Sequence, residues 1–147
     1  MLMKTSKQRL DQALQYCHTH GLKLTALRQA ILTILCEHPQ PLSAYDILRV
    51  LKQQHPKAEA MTVYRILGFL EKNHLVHRIT SCNTYAVCDM PMHEHHAQLL
   101  LCDQCGQVEE IEVKPLEKML ASVLKQHAFK PSSKPTEIFG ICGNCQP

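Results

Sequence analysis

Residues 61–88 read MTVYRILGFLEKNHLVHRITSCNTYAVC, and this stretch decides the fold. Its first part, from about residue 61 to residue 73, has apolar residues at helical spacing, and a helix cap is expected near residues 60–62. Two strand-like runs follow at 75–79 and 84–88, and residues 80–83 between them have the composition of a turn. The stretch therefore predicts a helix followed directly by a β-hairpin.

Two further helices are predicted before this stretch. Thr25 is expected to cap the first, which Pro39 ends, and Ser43 is expected to cap the second, which Pro56 ends. Three helices followed by a hairpin is the order of a winged helix-turn-helix. In that arrangement the third helix enters the major groove of DNA and the hairpin reaches toward the DNA backbone.

The outward face of the third predicted helix has side chains suited to DNA. Arg65 can bond a guanine edge or a phosphate, and Tyr64 can offer a hydroxyl to phosphate or stack on a base. Thr62 lies on the same face, and Gly68 would keep that face slim for close approach. The alternative is an ordinary solvated helix surface, and the pattern favours DNA contact.

Charge is divided unevenly along the 147 residues, whose net charge is +3. Residues 1–78 have eleven Lys and Arg against five Asp and Glu, a balance of +6. Residues 79–147 have five against eight, a balance of −3. A basic half with a winged-helix pattern favours a polyanionic partner, and we expect double-stranded DNA with a pseudo-palindromic operator.

Two Cys-x-x-Cys pairs mark the acidic half, Cys102 with Cys105 and Cys142 with Cys145. Four thiolates at this spacing predict a closed, tetrahedral zinc site that is structural. The alternatives are redox dithiols and disulfides. Met1–Leu10 does not resemble a signal peptide and no apolar run reaches membrane-spanning length, so we expect a cytoplasmic chain without a membrane partner. Thiols stay reduced in that compartment, which favours metal over disulfides.

The fold class expected from these patterns is α+β. Short strands surround a helix that Pro115 opens and that has one apolar stripe, which predicts a small α/β unit held together by zinc. An uncovered stripe and an unpaired sheet edge predict a homodimer, as does two-fold DNA reading. We expect a winged-helix DNA-binding domain over 1–82, the end of the wing and a hinge over 83–94, and a dimerisation and metal-binding domain over 95–147.

A second group of metal-binding residue types lies around the predicted hinge. His77 and Cys88 are on neighbouring strands of the hairpin, so they can approach each other. Imidazole, thiolate and carboxylate together suit zinc, and the thiolate argues against magnesium or calcium. The further possible ligands are three hinge histidines and three carboxylates after the first cysteine pair: His93, His95, His96, Glu109, Glu110 and Glu112.

Enzymatic activity is not expected, and neither is a small organic substrate. A thiol oxidoreductase would need one exposed Cys-x-x-Cys pair at the start of a helix, but both pairs lie where strands end and turns begin. A zinc hydrolase would need an open zinc position and a general base in a cleft. Glu110 would be the candidate for that base.

Nearly the whole chain resembles the ferric uptake regulator superfamily. The resemblance is carried by residues 24–28 (Leu-Thr-Ala-Leu-Arg), 43–46 (Ser-Ala-Tyr-Asp) and 62–65 (Thr-Val-Tyr-Arg), and by the paired Cys-x-x-Cys motifs. His77-Arg78, then Ser81, Asn83, Tyr85 and Cys88, and His95 seven residues before Cys102, look like the zinc uptake regulator branch. Iron-sensing members usually have a His-His-Asp-His run before the first cysteine pair, and this chain does not.

The resemblance implies a dimeric, zinc-activated repressor of zinc-acquisition genes with two zinc ions per subunit, one structural and one regulatory. The structural site falls on the four paired cysteines, and DNA contact falls on Tyr45, Tyr64 and Arg65. The regulatory site falls on His77, Cys88, His95 and Glu110. Sibling sensors of iron, manganese or peroxide are the alternative, and a thiol next to redox-active iron argues against them.

Two departures limit what the resemblance implies. His93 and His96 compete with His95, and Glu109 competes with Glu110, for the regulatory site. Some members have a third metal site that uses a histidine eight residues before the third paired cysteine, but Lys134 occupies that position here. A third site is therefore not expected.

Overall fold

The computed structural model describes residues 4–91 and 96–147. Within these residues no helix is both long enough and apolar enough to cross a membrane. The N-terminal half, up to Cys88, contains four helices and a hairpin, and the C-terminal half, from residue 96, contains a three-stranded sheet and one helix. The elements are α1 (Ser6–Thr19), α2 (Ala26–Glu37), α3 (Ala44–Leu51), α4 (Ala60–Lys72), β1 (Val76–Ile79), β2 (Thr84–Val87), β3 (Gln98–Cys102), β4 (Val108–Ile111), α5 (Lys114–Gln126) and β5 (Thr136–Gly140).

Side-chain caps define the starts of the second and third helices. The Thr25 hydroxyl accepts a hydrogen bond from the Arg28 N–H at 3.3 Å, and the Ser43 hydroxyl accepts one from the Asp46 N–H at 3.1 Å. Both predicted caps are confirmed. The cap predicted for α4 at residues 60–62 is wrong: Glu59 is the N-cap and makes no side-chain cap hydrogen bond.

Helix α1 was not among the three predicted helices. Its start is a capping box, in which the Thr5 hydroxyl accepts from the Gln8 N–H at 3.2 Å and the Gln8 side chain accepts from the Thr5 N–H at 2.8 Å. Its buried residues are Ala13, Tyr16 and Cys17, which lie at helical spacing. Thr-x-x-Gln before that pattern is the sequence signal that identifies this helix.

One hydrophobic core joins the four helices to the hairpin. Ile31 on α2, Ile47 on α3 and Leu67 on α4 are fully buried in it, and Tyr85 and Val87 of β2 belong to the same cluster. Residue 42, just before α3, forms an isolated antiparallel bridge to Tyr85. The hairpin is therefore fixed to the helices that precede it.

The C-terminal sheet has the strand order β4-β3-β5. Strand β3 is antiparallel to β4 and parallel to β5. The register pairs Leu99 of β3 with both Glu110 of β4 and Glu137 of β5. Residues paired across a sheet project to the same face, so these three side chains form one row. Leu99 is 1% exposed, and this face lies against the N-terminal half.

The opposite face of the sheet and the stripe of α5 are uncovered in a single chain. Ile138 on the opposite face of β5 and Met119 on α5 are 41% and 67% exposed. Within the part of the chain that the structure describes, α5 has no buried residue. The helix stripe therefore does not pack away on its own sheet. The predicted α+β class, with a winged helix before a small second unit, is confirmed.

Candidate metal centres and nucleic-acid interface

The first candidate centre is formed by the four paired cysteines. Cys102 ends β3, Cys105 follows in a turn, and Cys142 and Cys145 lie just after β5. Parallel pairing of β3 with β5 brings both turns to one end of the sheet. The four Sγ atoms lie within 4.8 Å of one another. Gly106 has a φ of 74°, a left-handed conformation that glycine adopts without strain, so the chain can turn sharply after Cys105.

The spacing of these sulfurs fits zinc and excludes a disulfide. The Sγ atoms of Cys105 and Cys142 are 3.8 Å apart, and all eight cysteines are free. A disulfide would need about 2.05 Å between the sulfurs. Four thiolates about 2.3 Å from a tetrahedral zinc ion lie about 3.8 Å from one another. The residues present therefore fit a four-thiolate zinc site with no open position.

Hydrogen bonds distribute the protons of this cluster unevenly among its thiols. The Cys142 N–H donates to the Cys102 Sγ at 3.3 Å. That bond, followed by one from the Cys105 backbone, lowers the pKa of the Cys102 thiol to about 6. Hydrogen bonding with the Cys142 thiol raises the pKa of Cys145 to about 12. Protons shared among four close thiols are what a divalent cation displaces when it binds.

The second candidate centre lies between the two halves of the chain. His77 is on β1, Cys88 follows β2, and Glu110 is on β4, and their ligand atoms lie within 4.8 Å of one another. The Nε2 of His77 is 3.0 Å from the Glu110 carboxylate, and the Cys88 thiol donates to the same oxygen at 3.7 Å. The hairpin and the C-terminal sheet therefore meet at a nitrogen, sulfur and oxygen donor set.

Burial makes this donor set electrostatically unusual. The side chains of His77 and Glu110 are 12% and 3% exposed, and Cys88 is 4% exposed. Burial, and then the neighbouring Glu110 carboxylate, raise the pKa of the Cys88 thiol. A carboxylate and a thiol that share a buried site are stabilised by a cation between them. The donor types suit zinc, so these residues fit the ion.

The remaining predicted ligands divide into three cases. His95 and His93 lie outside the described residues. His96 is exposed and does not belong to either cluster found among the residues that the structure describes. Glu109 pairs with Leu100, so it projects to the sheet face opposite Glu110. Geometry therefore brings Glu110, and not Glu109, to His77.

Sequence reasoning missed a network behind the second centre. Arg9 of α1 forms an ion pair with Asp89 at 3.0 Å, and the Asp89 N–H donates to the Glu110 carboxylate at 2.9 Å. Lys4 donates to the Asp89 carbonyl oxygen. Burial raises the pKa of the Asp89 carboxyl, and Arg9 opposes that shift. No local motif signals this network, since Lys4 and Asp89 are 85 positions apart and Asp89 and Glu110 are 21 apart.

The predicted DNA-contacting side chains are exposed or half-buried on α3 and α4. Tyr45, in the first turn of α3, is 74% exposed, and Tyr64, on α4, is 51% exposed. Arg65 is exposed and Thr62 is half-buried on α4. A Cβ placed on Gly68 would meet no atom within 4 Å, so that position opens to solvent. An unpacked, basic and aromatic helix surface is what groove contact requires.

Comparison with known proteins gives consistent results. Residues 19–139 match the model of the ferric uptake regulator family. The chain is 31% identical over 144 residues to the zinc uptake regulation protein of Escherichia coli K12, covering 96% of this chain and 83% of that protein. It is 31% identical to the ferric uptake regulation protein of Bacillus subtilis 168, covering 95% of each.

Solved structures show the same likeness. A zinc uptake regulator complexed with zinc and DNA matches with a TM-score of 0.86 at 30% identity, covering 97% of this chain and 96% of that one. Holo XcZur matches with a TM-score of 0.83 at 29% identity, covering 92% and 95%. Apo XcZur gives a TM-score of 0.55 at 26% identity, covering 97% and 99%. Because the family model matches most of its residues, the chain belongs to the ferric uptake regulator family.

Proposed function

We propose that the chain is a zinc-responsive, DNA-binding repressor of zinc-uptake genes. The observation that carries this proposal is the buried His77, Cys88 and Glu110 cluster, which joins the DNA-binding hairpin to the C-terminal sheet. Ligation of one ion by all three side chains requires the hairpin and the sheet to stay together. The two halves then respond as one body to the presence of the ion.

Each candidate centre has a separate role in this proposal. The four paired cysteines would hold a structural zinc ion, and His77, Cys88 and Glu110 would hold a regulatory one, with His95 as the predicted fourth ligand. This gives two ions per subunit. Bound there, zinc supplies positive charge to a buried thiolate and carboxylate. The structural ligands all belong to one half of the chain, whereas the regulatory ligands come from both.

The chain's own residues carry the signal to DNA. His77 and Cys88 lie on the hairpin that packs on α4, so their position relative to Glu110 sets the direction in which Tyr64 and Arg65 point. A two-fold DNA reader needs its recognition helices about 34 Å apart. Holding both hairpins in one arrangement selects that spacing, with a coupling of about 1–3 kcal/mol per site between metal and DNA.

The likeness to known structures supports this arrangement. The two XcZur structures are of one protein, yet the chain matches holo XcZur with a TM-score of 0.83 and apo XcZur with a TM-score of 0.55. This difference supports an arrangement of the two halves like that of the holo relative. A relative bound to zinc and DNA is also matched, with a TM-score of 0.86.

A homodimer is part of the proposal. The apolar stripe of α5 and the outer face of β5 are exposed in a single chain, and a second copy would cover both. The exposed apolar residues of these two elements and their flanks are Val113, Leu116, Met119, Leu120, Val123, Phe129, Ile138, Phe139 and Ile141. Two copies also supply the two recognition helices that a pseudo-palindromic operator requires.

The test is zinc content measured together with binding to the promoter region of a zinc-uptake gene. We expect two zinc ions per chain, one of which a mild chelator removes, and we expect DNA binding to follow the removable ion. Iron and manganese at controlled free concentrations are the comparison. DNA binding that follows either of these metals, or that persists after chelation, would contradict the proposal.

A further inference from the structure

The hairpin is held at a second point on the C-terminal sheet, in the same row of side chains as the regulatory cluster. Glu110, Leu99 and Glu137 lie side by side on β4, β3 and β5. All three project to the face that meets the N-terminal half. Glu110 contacts the base of the hairpin at His77, and Glu137 contacts its tip.

Glu137 binds the turn of the hairpin through its side-chain carboxylate. Its Oε1 accepts hydrogen bonds from the Thr80 N–H at 2.8 Å, from the Thr80 hydroxyl at 3.2 Å and from the Ser81 N–H at 3.4 Å. Burial acts to raise the pKa of the Glu137 carboxyl, but hydrogen bonds from Ser81 and Thr80 together outweigh it and lower that pKa. The turn donates backbone groups, so this contact depends on the shape of the turn and not only on its sequence.

The distance between the two carboxylates on the sheet matches the distance between their partners on the hairpin. Glu110 and Glu137 are separated by two strand spacings, which is about 10 Å across the sheet. Their partners His77 and Thr80 are three residues apart along an extended chain, which is also about 10 Å. The hairpin therefore lies across the sheet with one carboxylate at each end and the buried Leu99 between them. Two contacts at this separation fix the orientation of the hairpin on the sheet as well as its position.

We propose that Glu137 is a metal-independent positioning residue, which anchors the hairpin tip and favours the arrangement that the regulatory site completes. This inference rests on the proposed function, because it assigns Glu137 a part in the zinc response. A one-point contact at Glu110 leaves the hairpin free to rotate about that point. A second contact at the tip removes that freedom before any ion is bound.

A quantitative consequence follows from linkage. If the Glu137 contact favours the arrangement that binds zinc and DNA, its removal lowers both apparent affinities by the same shift in population. Losing several hydrogen bonds to one carboxylate should shift that population about tenfold. The four-thiolate zinc and the dimer should not change, since Glu137 contacts neither the four cysteines nor α5 in any hydrogen bond that the described residues make.

The test compares Glu137→Ala with Glu137→Gln, which keeps the accepting oxygen. Glu117→Gln is the control, because it removes one carboxylate from the same half of the chain. By NMR, we expect the Thr80 and Ser81 amide hydrogens of the metal-replete dimer to exchange about tenfold faster in the Ala variant. Zinc affinity at the removable site and DNA affinity should each fall about tenfold there, with the Gln variant between the Ala variant and the unmodified chain.

Three outcomes can be told apart. Unchanged amide exchange and affinities in Glu137→Ala overturn the anchor. Loss of the dimer or of the four-thiolate zinc also overturns it, since Glu137 would then only maintain β5. Faster exchange at Thr80 and Ser81, in a chain whose unmodified form does not bind DNA with zinc, leaves the anchor in place and refutes the proposed function instead.

Discussion

The two candidate metal centres differ in what they connect. The four-thiolate cluster takes all its ligands from two turns at one end of a single sheet, and three of its four cysteines are only half-buried. The second cluster takes His77 and Cys88 from the hairpin and Glu110 from the sheet, and its donors are buried. A site within one half can stabilise that half. A site whose ligands come from both halves binds its ion only when the halves are together. The His77, Cys88 and Glu110 cluster is therefore better suited to regulation, although its sequence pattern is the weaker of the two.

Loss of a thiolate ligand of the four-cysteine cluster should have the largest effect on stability. In Cys102→Ala we expect the C-terminal half to unfold and the dimer to dissociate. Structural zinc contributes on the order of 10 kcal/mol to the folding of small metal-bound units, and this sheet has few buried residues of its own. Sedimentation and circular dichroism would detect the loss. A folded Cys102→Ala dimer would show that the C-terminal sheet is stable without the structural zinc ion.

Loss of a regulatory ligand should leave the fold intact and remove the response. For Cys88→Ser we expect a folded dimer that retains one zinc ion per chain and whose zinc-dependent gain in DNA affinity falls on the order of a hundredfold. A hydroxyl is a much poorer zinc ligand than a thiolate. Cys82→Ser is the matched control, because Cys82 is exposed and belongs to neither cluster found among the described residues. Unaltered zinc dependence in Cys88→Ser would remove Cys88 from the site.

Disrupting the network behind the regulatory cluster should have a smaller effect. Arg9→Ala leaves Asp89 half-buried without its ion pair, beside the Glu110 carboxylate. We expect a loss of about 1–3 kcal/mol of unfolding free energy and a several-fold weaker removable zinc site. Denaturant unfolding and zinc competition titration measure these. Lys7→Ala, on an exposed position of the same helix, should change neither quantity.

The smallest effect is expected at the DNA face, where neither metal centre should respond. Gly68→Ala should stabilise α4 by about 0.5–1 kcal/mol, because alanine is the better helix former and its Cβ meets no neighbouring atom. Both zinc ions should bind as before, while DNA affinity falls a few-fold if this face approaches the groove. Thermal melting and DNA titration check the two parts separately. A more stable protein with unchanged DNA affinity would show that Gly68 faces away from the DNA.

Much of the N-terminal half could be predicted because its signals are local. The caps at Thr25 and Ser43 bond to backbone groups three residues later, and the apolar spacing of each helix is also short-range. Helix α1 was missed although Thr5 and Gln8 form a capping box, since its polar composition obscures the apolar pattern. At α4 the predicted cap is wrong, because Glu59 begins that helix without a side-chain hydrogen bond that the sequence could signal.

The same distinction between short-range sequence signals and tertiary contacts applies to the two metal centres. Cys-x-x-Cys pairing is a short-range pattern, so the sequence alone determined which four thiols would meet. The choice between Glu109 and Glu110 depends on strand register, because a shift of one residue reverses the face on which each side chain lies. Only the tertiary structure could decide that choice, and only it brings Arg9 to Asp89 and Glu137 to the hairpin tip. Those contacts join residues that are far apart in the chain, and folding brings them together through a sheet that no local pattern specifies.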